Sequence, residues 1–275
     1  MEYFEANGAR IPAIGLGTWT LDDGAAEAIV SEALKVGWRH VDTAAMYGNE
    51  AGVGAGLRKG GLPRDEVFVT TKVWHDQLSD RALQASTKAS LARLRLDAVD
   101  LLLVHWPSKT IPLAETMGAL ADAKKQGLAR HVGVSNFPTR LLAEAVKLCP
   151  APLVANQIEC HPELDQRLVQ AANAGAGLAT VAYCPLARGA DLLTEPAVAG
   201  PAARLGVSPA QVVLRWHFQE GRIAIPRTSN PARLAVNLDI FGFALTDPEM
   251  TALSALRSRG KRICDFAFAP EWDAA

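Results

Sequence analysis

Eight short runs of aliphatic and β-branched residues recur along this chain, each followed by a longer stretch with helical spacing. They fall at Ala13–Gly17, Arg39–Asp42, Val67–Thr71, Val99–His105, His131–Ser135, Leu153–Gln157, Leu178–Tyr183 and Arg222–Pro226. Strands apolar throughout are buried on both faces, as in parallel sheets. Strands alternating with helices build βαβ units. Eight such units in roughly 250 residues favour a closed barrel over an open sheet. The expectation is therefore an α/β chain, a (β/α)8 TIM barrel forming one domain over residues 1–275. No Pro/Ser-rich linker or low-complexity stretch divides it.

The segments between the runs carry helix signals. Leu83, Thr87, Leu91 and Leu94 fall on one helical face. Ser208-Pro209-Ala210-Gln211 reads as a capping box with Pro at the first helical position, and Thr246-Asp247-Pro248-Glu249 repeats it. Asn7-Gly8, between Tyr3-Phe4 and Ile11, predicts a β-hairpin ahead of the barrel.

Composition excludes several classes. Net charge −1, from 28 Lys+Arg and 29 Asp+Glu, offers no basic footprint for nucleic acid or an anionic membrane. With 49% hydrophobic residues the chain is not disordered. No apolar run approaches the roughly 18 residues of a membrane helix, and Met1-Glu2-Tyr3-Phe4-Glu5 lacks the regions of a signal peptide. Cys149, Cys160, Cys184 and Cys264 show no CxxC, which fits reduced thiols and a cytoplasmic location. No heptad or apolar surface stripe points to a dimer, so a monomer is expected.

Barrel active sites lie at the C-terminal strand ends. Here those ends deliver Asp42, with Tyr47 close behind, then Lys72, His105, Ser135, Asn136, Gln157, Tyr183 and Arg227. A lone charge on an apolar strand is costly, so Asp42 and Lys72 are expected to pair. A phenol near pKa 10 is a poor proton donor at neutrality. An adjacent ammonium favours the phenolate and is expected to lower the Tyr47 pKa. His105 can orient a carbonyl oxygen. The set suits protonating an oxygen while a cofactor delivers hydride, because no side chain supplies hydride. Lys72 alone also permits a Schiff-base reading. The six histidines form no HxH or HExxH pair, so no metal is expected. Trp19, Trp74 and Trp106 follow strands one, three and four and suggest an apolar pocket mouth shared with Tyr47 and His105.

A G-x-G-x-x-G dinucleotide motif is absent. Gly15-Leu16-Gly17 is too short, and Gly52-Val53-Gly54-Ala55-Gly56 has the wrong spacing. The segment after strand eight reads instead as a phosphate site. Asn230-Pro231 resembles a helix start, flanked by Arg227 and Arg233 with the hydroxyls of Thr228 and Ser229. Tyr183 can stack on a nicotinamide, with Ser135, Asn136 and Gln157 holding its carboxamide.

The run Gly37-Trp38-Arg39-His40-Val41-Asp42-Thr43-Ala44-Ala45-Met46-Tyr47-Gly48-Asn49-Glu50 resembles the signature of the aldo-keto reductases. So do Thr71-Lys72-Val73-Trp74, Leu103-Val104-His105-Trp106-Pro107, Val134-Ser135-Asn136-Phe137, Asn156-Gln157-Ile158-Glu159, Tyr183-Cys184-Pro185-Leu186 and Ile225-Pro226-Arg227-Thr228. The resemblance implies NADPH-dependent reduction of aldehydes and ketones, with NADH a weaker alternative. It assigns Tyr47 as general acid, Asp42 and Lys72 as its tuning pair, and His105 as the carbonyl-orienting residue. It further implies cofactor contacts from Thr18, Asp42, Ser135, Asn136, Gln157, Tyr183, Pro185, Leu186, Arg227, Thr228, Ser229, Arg233 and Asn237. Arg227 stands where Lys is usual, Thr228 where Ser is, Val236 where Glu is, Cys184 where Ser is, and Glu163 where Tyr is. Short loops and the closing Ala269-Pro270-Glu271-Trp272-Asp273 are similar to small bacterial members of the 2,5-diketo-D-gluconate reductase B type. They imply small α-dicarbonyls such as methylglyoxal, or diketo sugar acids. A nicotinamide-binding sensor without turnover is the alternative of another class.

Overall fold

The computed structural model describes residues 1–274. It opens on an antiparallel hairpin of β1 (Tyr3–Ala6) and β2 (Ala9–Pro12). Asn7 and Gly8 both have positive φ, 43° and 86°, as a two-residue hairpin turn requires. Eight parallel strands follow: β3 (Leu16–Gly17), β4 (His40–Asp42), β5 (Phe68–Val73), β6 (Val99–Val104), β7 (Ala129–Ser135), β8 (Leu153–Glu159), β9 (Ala179–Tyr183) and β10 (Ile223–Ala224). Each pairs with the next in sequence order. Closure is made by bridges from Ile14 to Ala224 and from Gly17 to Arg227.

The first and last strands are shorter than the expected Ala13–Gly17 and Arg222–Pro226, only two residues each. Pro226 has no N–H to donate, so at this seam it only accepts, from Gly17 N at 3.0 Å. The seam is tight: a Cβ at Gly17 would sit 3.0 Å from the Ile225 carbonyl.

Two apolar layers result. Inside the barrel, Leu101, Leu103, Val154, Val181 and Ile223 meet Ala9 and Ile11 of the hairpin. The hairpin thus plugs the N-terminal mouth. Its Asn7 side chain donates to the Leu153 and Ala176 carbonyls there. Outside, a larger core fills the space between sheet and helices. The expected Leu83, Thr87, Leu91 and Leu94 stripe is buried on the helix Asp80–Leu94. The Ser208–Gln211 capping box forms on Pro209–Gln219, and the Thr246 N–H donates to Glu249 at the start of Asp247–Ala255.

Gly52, Gly54 and Gly56 lie along the helix Glu50–Gly60. A Cβ at Gly52 or Gly54 would collide with the main chain of Asp23 or Leu94. These glycines let the helices approach closely. No helix among the described residues is long and apolar enough to cross a membrane.

Candidate active site

With the N-terminal mouth plugged, the polar strand ends gather at the opposite one. At their centre the Lys72 ammonium, wholly buried, donates to Asp42 Oδ1 at 2.5 Å and to the Thr43 carbonyl at 2.9 Å. Its third neighbour is the Tyr47 hydroxyl at 3.5 Å. Gln157 Nε2 donates to the second Asp42 oxygen at 2.8 Å. Asp42 therefore has both oxygens used, one by the cation and one by an amide. Thr18 Oγ1 donates to the Asp42 carbonyl.

Tyr47 is carried on a single 3₁₀ turn, Ala45–Tyr47, ended by Gly48 in the left-handed region. So short a turn needs outside support. Asn49 supplies it, donating to the Thr18 and Leu21 carbonyls and accepting from Thr43 Oγ1. Buried Glu50 continues the brace, accepting from Thr71 Oγ1 and from two nitrogens of Arg93. Neither Asn49 nor Glu50 stands out in the sequence as a site residue. Their signal was a polar pair at the entry to an apolar, glycine-rich helix.

The electrostatics differ from expectation at one point. The Tyr47 phenol is not lowered. Burial pushes its pKa well above the ordinary value, and the Asp42 charge adds to this. Burial likewise pulls Lys72 down, with Asp42 opposing. Asp42 thus acts on both groups, and the unliganded pocket holds Tyr47 as a protonated phenol. His105 is lowered well below the usual imidazole range, first by burial and then by Lys72 and His75. It is neutral, its ring edge-on to Tyr47 at 5.6 Å and to Trp74 at 5.1 Å between centroids.

Beside this cluster the ends of β7, β8 and β9 form a hydrogen-bonded ladder. Ser135 Oγ donates to the Gln157 carbonyl, Asn136 Nδ2 to the His105 carbonyl, and the Tyr183 hydroxyl to Asn136 Oδ1 at 2.7 Å. Asn136 has φ 65°, a conformation Asn tolerates better than most residues. Pro185 is buried and its carbonyl is held by His217, while Leu186 is half-buried.

The segment after β10 takes a tight local form. Thr228 Oγ1 accepts from Asn230 N and returns a bond to its carbonyl, and Asn230 Oδ1 accepts from Ala232 N. The helix begins at Ala232, one residue later than expected, and runs only to Leu238. Arg227, Ser229 and Arg233 are exposed, while Asn237 is buried. Neither arginine has a carboxylate partner among the described residues.

The three tryptophans separate. Trp19 is 40% exposed and lies under the Arg188 guanidinium. Trp106 is buried, and with Trp74 it packs against the C-terminal segment through Cys264, Phe268, Ala269 and Trp272. That segment crosses the mouth as a strap. Glu159, at the end of β8, accepts from the Ile263 and Cys264 N–H groups at 2.7 Å each. Glu163 binds Arg259 and Lys261, and Asp273 accepts from Thr139. The strap and its carboxylate anchors went unread in the sequence, because a chain of Phe, Pro and Trp without periodicity shows no partner.

Comparison with known proteins agrees with this geometry. Residues 13–258 match the model of the aldo/keto reductase family. An aldo-keto reductase of Mycolicibacterium smegmatis is 46% identical over 247 residues, 90% of this chain and 87% of its own. One of Mycolicibacterium vanbaalenii is also 46% identical, covering 90% and 88%. A crystal structure provisionally described as a 2,5-diketo-D-gluconic acid reductase B superposes with TM-score 0.96 at 44% identity, over 100% of this chain and 98% of that one. A Bombyx mori aldo-keto reductase, solved with NADP, gives TM-score 0.90 at 32% identity, covering 96% and 95%. The chain belongs to the aldo/keto reductase family. It is an oxidoreductase of the carbonyl-reducing kind, built on the (β/α)8 barrel.

Proposed function

We propose that this chain reduces small aldehydes and ketones to alcohols with NADPH, and that Tyr47 is the proton donor. The observation that carries the reading is the buried Lys72 ammonium, shared between Asp42 Oδ1 and the Tyr47 hydroxyl. The donor set fits the cofactor. Arg227 and Arg233 are exposed cations suited to its phosphates, and Arg233 would hold the 2′-phosphate. Thr228, Ser229 and Asn237 on the same stretch would add to that hold, together with Thr18, Pro185 and Leu186, and Ser135, Asn136 and Gln157 would bind the nicotinamide carboxamide, with Tyr183 offering its ring. When bound, the nicotinamide supplies hydride to the carbonyl carbon.

The chain's own groups manage the oxygen. Tyr47 rests protonated, so it holds the proton that the developing alkoxide needs. Giving it up leaves a phenolate 3.5 Å from Lys72 Nζ, where the ammonium stabilises the charge. Asp42 keeps that ammonium charged and aimed. His105 is neutral, and its buried Nδ1 has no partner. Protonated at Nε2, it would donate to the carbonyl oxygen and fix its position. Burial of Lys72 in an ion pair disfavours the Schiff-base alternative, because a nucleophilic amine must be neutral and accessible.

Trp74, Trp106 and Phe268 of the strap offer aromatic surface to a small substrate, and the choice of small α-dicarbonyls such as methylglyoxal, or of diketo sugar acids, rests on the likeness to the small bacterial members of the family. The structural neighbour described as a diketogluconate reductase supports the same choice. The test is loss of NADPH absorbance with methylglyoxal, 2,5-diketo-D-gluconate and a plain aromatic aldehyde, each repeated with NADH. Turnover on a dicarbonyl, faster with NADPH, is expected. Tight NADPH binding with no turnover on any of the three would favour a sensor.

A further inference from the structure

The strap borders more than the barrel mouth. Its Phe268 meets Trp74 and Trp106 edge-on, at 5.2 and 5.3 Å between centroids, and stacks on His75 at 4.7 Å. Phe268 also lines a cavity of about 430 Å³, a size that suits a small molecule. The strap gives this cavity Phe268, Pro270 and Trp272. The turn after β6 gives it Pro107 and Lys109, and the start of the helix Thr139–Leu148 gives it Arg140. None of Asp42, Tyr47, Lys72 or His105 lines it.

Most polar groups around the cavity are already committed. Ser108 Oγ accepts from the Thr110 and Ile111 N–H groups. Asp273 accepts from the Thr139 N–H and hydroxyl. Trp272 spends its N–H on Asp265 and lies under the Arg262 guanidinium, so it offers ring surface and no donor. The cations differ. Lys109 gives one of its N–H donors to the Ala267 carbonyl at 2.7 Å and keeps the others. Arg140 is exposed. Among the described residues no carboxylate lies within ion-pair distance of either cation. The opposing charge on the rim is Glu271, exposed and likewise outside any ion pair among the described residues. Two uncommitted cations thus outnumber one uncommitted carboxylate, beside walls of aromatic and proline rings.

We propose that this cavity is a second binding site, for a small aromatic carboxylate. The flat ring would rest against Phe268, Trp272 and the prolines. The carboxylate would lie at Arg140, whose planar fork matches it, with the Lys109 ammonium as a second charge. Binding there is independent of whether the protein turns over a carbonyl. Phe268 is the wall shared with Trp74, and Trp74 lies edge-on to His105. An occupant should therefore also shift the KM for a carbonyl, a consequence that does rest on the proposed reductase activity.

The test is calorimetric titration of the full chain, with and without NADP, using 2-naphthoate as the probe. Its neutral alcohol and its ammonium analogue serve as controls. Naphthoate should bind, more weakly as salt is added, and more tightly than either control. Its Kd should rise several-fold in Arg140→Ala or Lys109→Ala and about tenfold in the double variant. It should hold in Tyr47→Phe, because Tyr47 lies outside the cavity. Absence of binding in the millimolar range, equal affinity for the alcohol or the ammonium analogue, or a Kd that moves in Tyr47→Phe but not in the Arg140 and Lys109 variants would each overturn the proposal.

Discussion

The Lys72 ammonium lies 2.5 Å from Asp42 Oδ1 and 3.5 Å from the Tyr47 hydroxyl, so Asp42 and Tyr47 compete for one buried cation. While Tyr47 is a neutral phenol, the ammonium belongs to the carboxylate. Once the proton has left, the phenolate becomes a second claimant. The pair therefore supports a charge that exists only after proton transfer, which is where stabilisation accelerates a reaction.

Replacing Lys72 by Met should show both sides of this relationship. Asp42 would keep only Gln157 and would stand as a buried, unpaired charge. Breaking such a pair costs about 3–5 kcal/mol. The melting temperature should fall, and reduction should drop by more than tenfold even in the folded fraction. A K72M protein of unchanged stability would show that the pair contributes little.

Arg233→Ala should separate the two nicotinamide cofactors. A charge-assisted contact to the 2′-phosphate is worth about 1.5–3 kcal/mol, or roughly 10- to 100-fold in affinity. The Kd for NADPH should rise by that factor while the Kd for NADH barely moves. Equal losses would place Arg233 elsewhere on the cofactor or off it.

Glu159→Gln should loosen the strap. Burial opposes the Glu159 charge, yet bonds from His161, Ile263 and Cys264 hold its pKa below the ordinary carboxylate value. The amide keeps one acceptor in place of two. The KM for the carbonyl should rise several-fold while cofactor affinity is kept. An unchanged KM would mean that the strap does not shape the substrate pocket.

Acid should weaken the fold through His40. Burial lowers its pKa from 6.5 to about 4, against Asp42. The unfolded chain therefore binds a proton that the folded one refuses. Stability falls as pH drops below about 6.5 and continues down to about 4, a loss of roughly 3 kcal/mol for this group. His105 and His217, also lowered, act in the same direction. Glu249, lowered from 4.5 to about 2 chiefly by its bond from Arg204, adds its loss only as pH falls from about 4.5 to about 2. Urea midpoints from pH 7 to 4.5 should fall in the wild type and fall less in His40→Asn. Parallel slopes in the two proteins would remove His40 from the account.

Much of this was legible because each piece had a local cause. Asn7-Gly8 fixed a turn by its φ requirements, and the strands declared themselves by continuous apolar runs. Asp42 and Lys72 stood out as charges on such runs, and the structure pairs them. What stayed hidden depends on residues far apart. The closure of β3 on β10 rests on two-residue strands with a proline at the seam, too short to bound from sequence. The link from Glu159 to the strap spans more than 100 residues. The Tyr47 pKa was misread in sign, because its burial and its distance from Asp42 follow from the folded pocket. Trp19 shares a strand-end position with Trp74 and Trp106 but not their cluster, since the strap crosses only one side of the mouth.

The central claim is that the Tyr47 hydroxyl gives its proton to the carbonyl oxygen. Single-turnover oxidation of bound NADPH by methylglyoxal or 2,5-diketo-D-gluconate, in wild type and Tyr47→Phe, tests it most directly. General acid catalysis is worth on the order of 10²–10⁴-fold. The account predicts a loss of at least that size in Tyr47→Phe, with NADPH bound as tightly as before. Near-normal rates in Tyr47→Phe would contradict it and put the proton on another group.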